Sequence, residues 1–248
     1  MPFLFRNSQS TYRRKTIIQC SGLYKKYNRK VALENVSVTL EKGKIYAFLG
    51  PNGSGKTTFM KILANLTEQS KGTVLFDGES LTVKSRAKIA YLPTESHAYP
   101  FMTVDDFGKY YAYFFKDFDR NRFKDWVERM QIPFQTPFKV LSSGMDKKVR
   151  VAATLARSAE LLILDEPFNG VDLLAREEIE KMILESMTEE KTVILSSHLV
   201  EEVESYIDFA LFFRHGSLIA TEDVEKMRQE SGKSLTDLYR ELLAGEGM

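Results

Sequence analysis

The sequence predicts an α/β chain: a largely parallel sheet flanked by helices, with a helical subdomain inserted. Three observations predict it. Short runs rich in β-branched and aromatic residues alternate with helical segments along most of the chain. A glycine-rich loop stands between one such run and a helical segment. The stretch from Thr103 to about Ile132 is helical in composition throughout, bounded by Pro100 on one side and by Pro133 and Pro137 on the other.

In chain order, Thr16–Ser21, Val36–Leu40 and Lys44–Leu49 read as strands. A loop over 50–55 follows, then a helix from Lys56 to about Leu66. Thr73–Asp77 and Lys88–Leu92 are the next strands. After the helical middle, the segment from Asp146 to Ser158 has helical composition. Leu161–Asp165, Thr192–Ser197 and Ile207–Phe213 return to buried-strand character. Leu235, Leu238, Tyr239 and Leu242 space an amphipathic closing helix over about 235–243. The expected organisation is a short leader over 1–15 that could be disordered, then a single domain over 16–248. Within it lie a helical subdomain over about 96–158 and a short C-terminal helix over about 222–244.

The chain has 248 residues, 43% of them hydrophobic and 28% charged. That is enough for one large domain with a substantial core. Its 35 basic and 34 acidic residues leave a formal charge of +1. So even a balance gives no electrostatic reason to expect nucleic acid as a partner. Cys20 is the only cysteine, which excludes an intrachain disulfide and suits a small buried strand residue. No segment approaches the roughly 18–20 apolar residues that a membrane helix needs, so a membrane role would come through a partner chain.

Two motifs carry chemistry. Gly50-Pro51-Asn52-Gly53-Ser54-Gly55-Lys56-Thr57 fits G-x-x-x-x-G-K-[ST] in full, after a strand and before a helix. Its glycines let backbone N–H groups close around phosphate oxygens, and the helix N-terminus adds partial positive charge. Lys56 is expected on the β- and γ-phosphates of a nucleotide, Thr57 on Mg²⁺, and Thr58 beside them. Leu161-Leu-Ile-Leu-Asp165-Glu166 is an apolar strand ending in two acids. Asp165 would hold Mg²⁺ directly or through water, and Glu166 would orient and deprotonate an attacking water. Alone, either motif could be an ordinary turn; together and in this order they point to nucleoside triphosphate hydrolysis.

Between them lies Leu141-Ser-Ser-Gly-Met145. With both flanking motifs in place, the chain resembles the ABC ATPase family over nearly all its length after the leader. The resemblance implies a P-loop NTPase core with a small N-terminal antiparallel β part. It identifies Leu141–Met145 as the counterpart of the family's LSGGQ signature. Ser142, Ser143 and Gly144 would then contact the γ-phosphate held by a second subunit, giving two composite sites in a head-to-tail dimer. Asn169-Gly170-Val171-Asp172 resembles the D-loop at the dimer interface. His198 resembles the switch histidine that touches the γ-phosphate, and Tyr27 the aromatic that stacks on adenine, with Tyr24 its nearest competitor. His97 and His215 match no family role and read as surface or turn residues.

Three positions depart from the family pattern. Thr94 stands where a glutamine is usual after Tyr91-Leu-Pro93, with Glu95 a possible substitute one residue on. Ser143 replaces a glycine, and Met145 a glutamine. These leave two readings open: an active ATPase with a variant coupling loop, or the weaker, ATP-binding half of a heterodimer.

The aromatics Phe107, Tyr110, Tyr111, Phe114, Phe115 and Phe118 recur at helical spacing. With Phe101, Tyr113, Phe123 and Trp126 they are expected to fill the subdomain core, and the family resemblance implies that some also line a groove for a membrane protein. The resemblance implies ATP and Mg²⁺ as cofactors and a transmembrane permease as partner, with homodimer or heterodimer undecided. It places the chain in the cytoplasm, peripheral on the inner membrane face through that permease. ABC-2-type exporters, with lantibiotic and bacteriocin-immunity systems among them, are the nearest group. A soluble ABC ATPase acting on ribosomes or DNA is the competing class. Such proteins generally carry a second cassette, a long coiled coil or zinc-binding cysteines, and this sequence has one phosphate loop, no long heptad run and one cysteine.

Overall fold

The computed structural model describes residues 16–244. The expected leader over 1–15 lies outside the described residues.

Two sheets build the molecule. The first is antiparallel and holds strands β1 (Thr16–Tyr27), β2 (Lys30–Glu41), β4 (Lys71–Phe76) and β5 (Glu79–Ser80) in the order β2-β1-β4-β5. β1 runs six residues beyond the expected Ser21. Leu23 is again buried beyond Gly22, and the register against β2 shifts between Cys20 and Leu23 as at a β-bulge. Between these strands lies β3 (Ile45–Leu49), which belongs to the second sheet. That sheet also takes β6 (Ile89–Leu92), β7 (Leu161–Leu164), β8 (Thr192–Ser197), β9 (Phe209–Arg214) and β10 (Ser217–Asp223), in the order β10-β9-β3-β8-β7-β6. All its pairings are parallel except the β9–β10 hairpin.

The parallel strands are buried on both faces, which is why they read as unbroken apolar runs. Period-two alternation divides them between two cores. Ala47, Leu49, Leu162, Leu164, Val193 and Leu195 face one core, which continues into the helical region. Tyr46, Phe48, Leu161, Ile163 and Ile194 face the other, against Phe59 and Met60 of α1 (Lys56–Leu63) and the first sheet.

The helical segments are α2 (Val83–Arg86), α3 (Val104–Phe114), α4 (Arg120–Arg129), α5 (Ser143–Leu155), α6 (Leu173–Ser186), α7 (Val224–Ser231) and α8 (Leu235–Ala244). Hydroxyl and carboxylate caps start them. Thr103 and Asp106 form a capping box on α3, Asp119 caps α4, Ser142 caps α5 and Asp172 caps α6. α1 stops at Leu63, three residues short of the expected Leu66. The expected single helix over about 222–244 is corrected: residues up to Asp223 complete β10, and two helices follow, parted where Gly232 takes φ 63°.

The aromatic run divides as amphipathic geometry requires. Phe107, Tyr111, Phe123 and Trp126 are buried in the core, whereas Phe101, Tyr110, Tyr113 and Phe114 are exposed. Cys20 is buried, as expected.

Candidate functional site

The parallel sheet assembles the site. β3, β8 and β7 are neighbours, with Leu49 opposite Ser197 and Leu164 opposite Leu195. The residues that follow each strand therefore emerge along one edge: the 50–57 loop after β3, Asp165 and Glu166 after β7, and His198 after β8. The C-terminal edge of a parallel sheet is where ligands bind in open α/β folds.

A cleft of about 550 Å³ lies at that edge. Asn52, Gly53, Ser54, Gly55, Lys56, Thr57 and Thr58 line it, and so do Tyr27, Thr94, Glu166, Asn169 and His198. Lys30 and Ala32, at the start of β2, complete the lining and had no signal in the sequence. Tyr27 is 44% exposed, and Lys25 Nζ lies over one face of its ring, 4.8 Å from the centre. Tyr24 is not among the lining residues.

The 50–57 loop can exist only with glycine at its hinges. Gly55 caps α1 at φ 108°, and a Cβ there would stand 2.7 Å from the Ala32 carbonyl oxygen and 2.9 Å from Leu33 Cδ2. Lys56 is buried, and its Nζ donates to the Gly50 carbonyl at 2.6 Å and to the Pro51 carbonyl at 3.2 Å. Burial lowers its pKa, against the raising influence of Glu166 and Asp165. The Ser54 hydroxyl is buried in the cleft wall with no hydrogen-bond partner. A buried, unsatisfied donor beside a helix N-terminus fits an anionic ligand, and phosphate oxygens would satisfy it.

Asp165 is 1% exposed. It accepts hydrogen bonds from Thr57 Oγ1 at 3.1 Å, Ser196 Oγ at 2.8 Å and Tyr91 Oη at 3.1 Å. Burial pushes the Tyr91 hydroxyl pKa up, with the Asp165 charge adding to it, so Tyr91 stays a donor. A hydroxyl and a carboxylate within hydrogen-bond distance are hard oxygen donors, the set that suits Mg²⁺ held jointly with substrate phosphates. No cluster of three or more His, Cys, Asp or Glu able to hold a metal occurs among the described residues.

Glu166 is the most constrained residue of the site. Its φ is 51°, the left-handed region that non-glycine residues rarely occupy. Its N–H donates to Ser196 Oγ at 2.9 Å, and its carbonyl accepts from Lys147 Nζ at 3.1 Å. One carboxylate oxygen lies 3.0 Å from His198 Nδ1, the other 3.8 Å from Lys56 Nζ.

The 141–145 segment does not line the cleft of its own chain. Ser142 accepts from the Met145 N–H at 3.2 Å, and Ser143 Oγ donates to the Gly170 carbonyl at 3.1 Å. Gly144 is buried close to Ala175 and to Asp172. Asp172 caps α6 through the Ala175 N–H at 2.8 Å. The signature-like loop and the 169–172 loop are thus fixed to one another. Thr94 reaches the cleft, whereas the Glu95 side chain is exposed and outside it. Met145 packs against the core. His97 keeps an exposed edge and sits 2.8 Å from Tyr111 Oη, and His215 occupies the β9–β10 turn at φ 49°.

The ABC transporter family profile matches residues 33–169, more than half of the chain. The chain belongs to the ABC transporter ATP-binding family. It is 31% identical to a lantibiotic transport ATP-binding protein of Streptococcus pyogenes over 84% of this chain and 92% of that one. A Nod factor export ATP-binding protein of Ralstonia nicotianae is 28% identical over 90% of this chain and 72% of its own length. An aliphatic sulfonates import ATP-binding protein of Bacillus cereus is 32% identical over 73% and 74% respectively. Among solved structures, an ATP-binding subunit of an ABC transporter superposes with a TM-score of 0.82 at 26% identity, covering 92% of this chain and all of that one. The P-loop NTPase fold of an ABC cassette, with its antiparallel N-terminal sheet and parallel-rich second sheet, is therefore the fold of this protein.

Proposed function

We propose that this subunit hydrolyses ATP at composite sites of a head-to-tail dimer and drives a separate transmembrane permease, as the motor of an exporter. The observation that carries the reading is the setting of Glu166. Its carboxylate meets His198 on one side and Lys56 on the other, at the mouth of a phosphate-binding loop.

In this reading the 50–58 loop and Lys56 bind the phosphates, and Tyr27 stacks on adenine. Thr57 and Asp165 would hold Mg²⁺, which would supply charge neutralisation at the phosphates. Glu166 accepts a proton from the attacking water and holds it in line. His198, oriented by Glu166, donates to the γ-phosphate and stabilises the charge that develops there. Ser142, Ser143 and Gly144 of a second subunit close the site. The support for a second subunit is that these residues lie outside their own chain's cleft, at the N-terminus of α5. Asn169, Gly170 and Asp172 would form the junction.

No helix among the described residues is long and apolar enough to cross a membrane, so a transport role needs a permease. The exposed Phe101, Tyr110, Tyr113 and Phe114 offer it a surface. The outward direction rests on the Nod factor export relative, and the cytoplasmic, membrane-peripheral location follows from the need for a permease. The active reading is favoured over an ATP-binding-only subunit because Glu166 and His198 are both present and in contact.

Glu166→Gln tests the chemistry. It should bind ATP with wild-type affinity and hydrolyse it about 10²–10⁴-fold more slowly. Wild-type turnover in that variant would remove Glu166 from the role.

A further inference from the structure

Lys147 is a buried cation that the nucleotide chemistry above leaves unused. It lies on α5 and is 4% exposed. Its Nζ donates to two main-chain carbonyls from different segments, Thr94 at 3.2 Å and Glu166 at 3.1 Å. No carboxylate is paired with it at ion-pair distance among the described residues. Burying an unpaired ammonium is costly, so its hydrogen bonds to carbonyl dipoles have to offset that cost.

Both carbonyls belong to the site. Thr94 lines the nucleotide cleft, and Glu166 holds a left-handed backbone conformation. Such a conformation is strained and persists only where neighbours fix it. Ser196 fixes the N–H of Glu166, and Lys147 fixes its C=O. The rest of α5 grips the same loop. Arg150 donates to the Pro93 and Glu95 carbonyls at 3.2 and 3.1 Å, and Asp146 accepts from Ser96 at 3.0 Å. Of these clamping side chains, Lys147 alone reaches on to the acid.

We propose that Lys147 is a positioning residue: its ammonium ties the main chain of Glu166 to the 93–96 loop, so that the placement of the catalytic carboxylate follows the placement of that loop. Lys147 does not line the cleft. The proposal rests on the hydrolytic reading for its effect on rate, but its positional claim stands on the two hydrogen bonds alone. Burial, with Arg150 nearby, pushes the Lys147 pKa down to about 8, against the raising influence of Asp146, Asp165 and Glu166. The group is therefore still mostly charged at neutral pH.

The test uses the full chain with two substitutions. Lys147→Met keeps the volume and removes every donor; Lys147→Gln keeps two N–H donors without the charge. For each, kcat and KM for ATP are measured alongside hydrogen exchange of peptides covering 93–96, 166–169 and 50–57. Lys147→Met should lower kcat by about 100-fold with KM for ATP unchanged, as a misplaced catalytic group does. Exchange should rise together at 93–96 and 166–169, and stay at the wild-type rate over 50–57. Lys147→Gln should recover part of both losses. Wild-type kcat and wild-type exchange at both segments in Lys147→Met would overturn the proposal. So would a loss in which KM and the 50–57 exchange change as much as kcat, since that marks general unfolding. Should Lys147→Met not fold, Lys147→Gln decides by the same two readouts. If the wild-type chain hydrolyses no ATP, the functional reading fails, while the exchange comparison still decides the role of Lys147.

Discussion

The glycine-rich loop over 50–57 and the acid corner face each other across one cleft, but they are built in opposite ways. The loop is a single run of eight residues. Its shape comes from the backbone, with glycine where a side chain would collide with Ala32 and Leu33. The acid corner is gathered from four segments. Asp165 and Glu166 come from the end of β7, Ser196 and His198 from β8 and its end, Tyr91 from β6, and Lys147 from α5. It is held by side-chain hydrogen bonds, and one of its residues occupies a backbone conformation it would not choose alone. A site made of backbone fails all at once when its chain path is blocked. A site made of side chains fails by degrees.

That difference can be broken from either side. The largest effect is expected from Gly55→Val. A branched side chain at φ 108° cannot avoid the Ala32 carbonyl. ATP binding measured by calorimetry should be lost entirely, and retained binding would show that the loop is less constrained than its geometry implies. Ser196→Ala should act more weakly. It removes the partner of the Glu166 N–H and one donor to Asp165, both buried. An unsatisfied buried N–H costs about 1–3 kcal/mol, so kcat should fall by roughly tenfold to a hundredfold with ATP binding kept. Equal losses in binding and turnover would place Ser196 in the loop's fold instead.

The smallest effect lies away from the cleft. Glu185 accepts from Arg129 and from Trp126 Nε1, tying α6 to α4. These bonds, Arg129 first, draw its pKa from 4.5 to about 2. A carboxyl whose folded pKa is depressed adds stability above its unfolded value and loses it as pH falls through the folded one. The contribution should therefore be complete above pH 4.5 and vanish toward pH 2. Thermal unfolding of Glu185→Gln should show a shallower decline than wild type across that window. Identical slopes would mean that solvent screens the half-exposed pair completely.

The same contrast explains what the sequence made legible. The 50–57 loop, the Asp165–Glu166 pair and the parallel strands were readable because each is contiguous, and the strands are apolar on both faces. β10 and α7 were not. Ser217–Asp223 is an edge strand with one partner, and Val224–Ser231 is a polar helix, so neither carries a strong apolar period. The contacts of Ser196, Tyr91 and Lys147 are not legible in sequence, because they depend on strand register and on which helix face turns inward. Lys147 had one available signal: it sits three residues from Gly144 and four from Val151, on the buried face of α5. Ser142, Ser143 and Gly144 were readable as a motif, yet in their own chain they cap a helix and brace the 169–172 loop. Their proposed partner is a second copy or a relative of this subunit.

The most direct measurement is the rate of Mg²⁺-dependent ATP hydrolysis per subunit as a function of protein concentration, with the purified chain and with a co-expressed permease. Composite sites predict a rate per subunit that rises with concentration as dimers form, and rises again with the permease. A rate per subunit that stays constant over the whole range, or ATP binding without hydrolysis in either setting, would contradict the account.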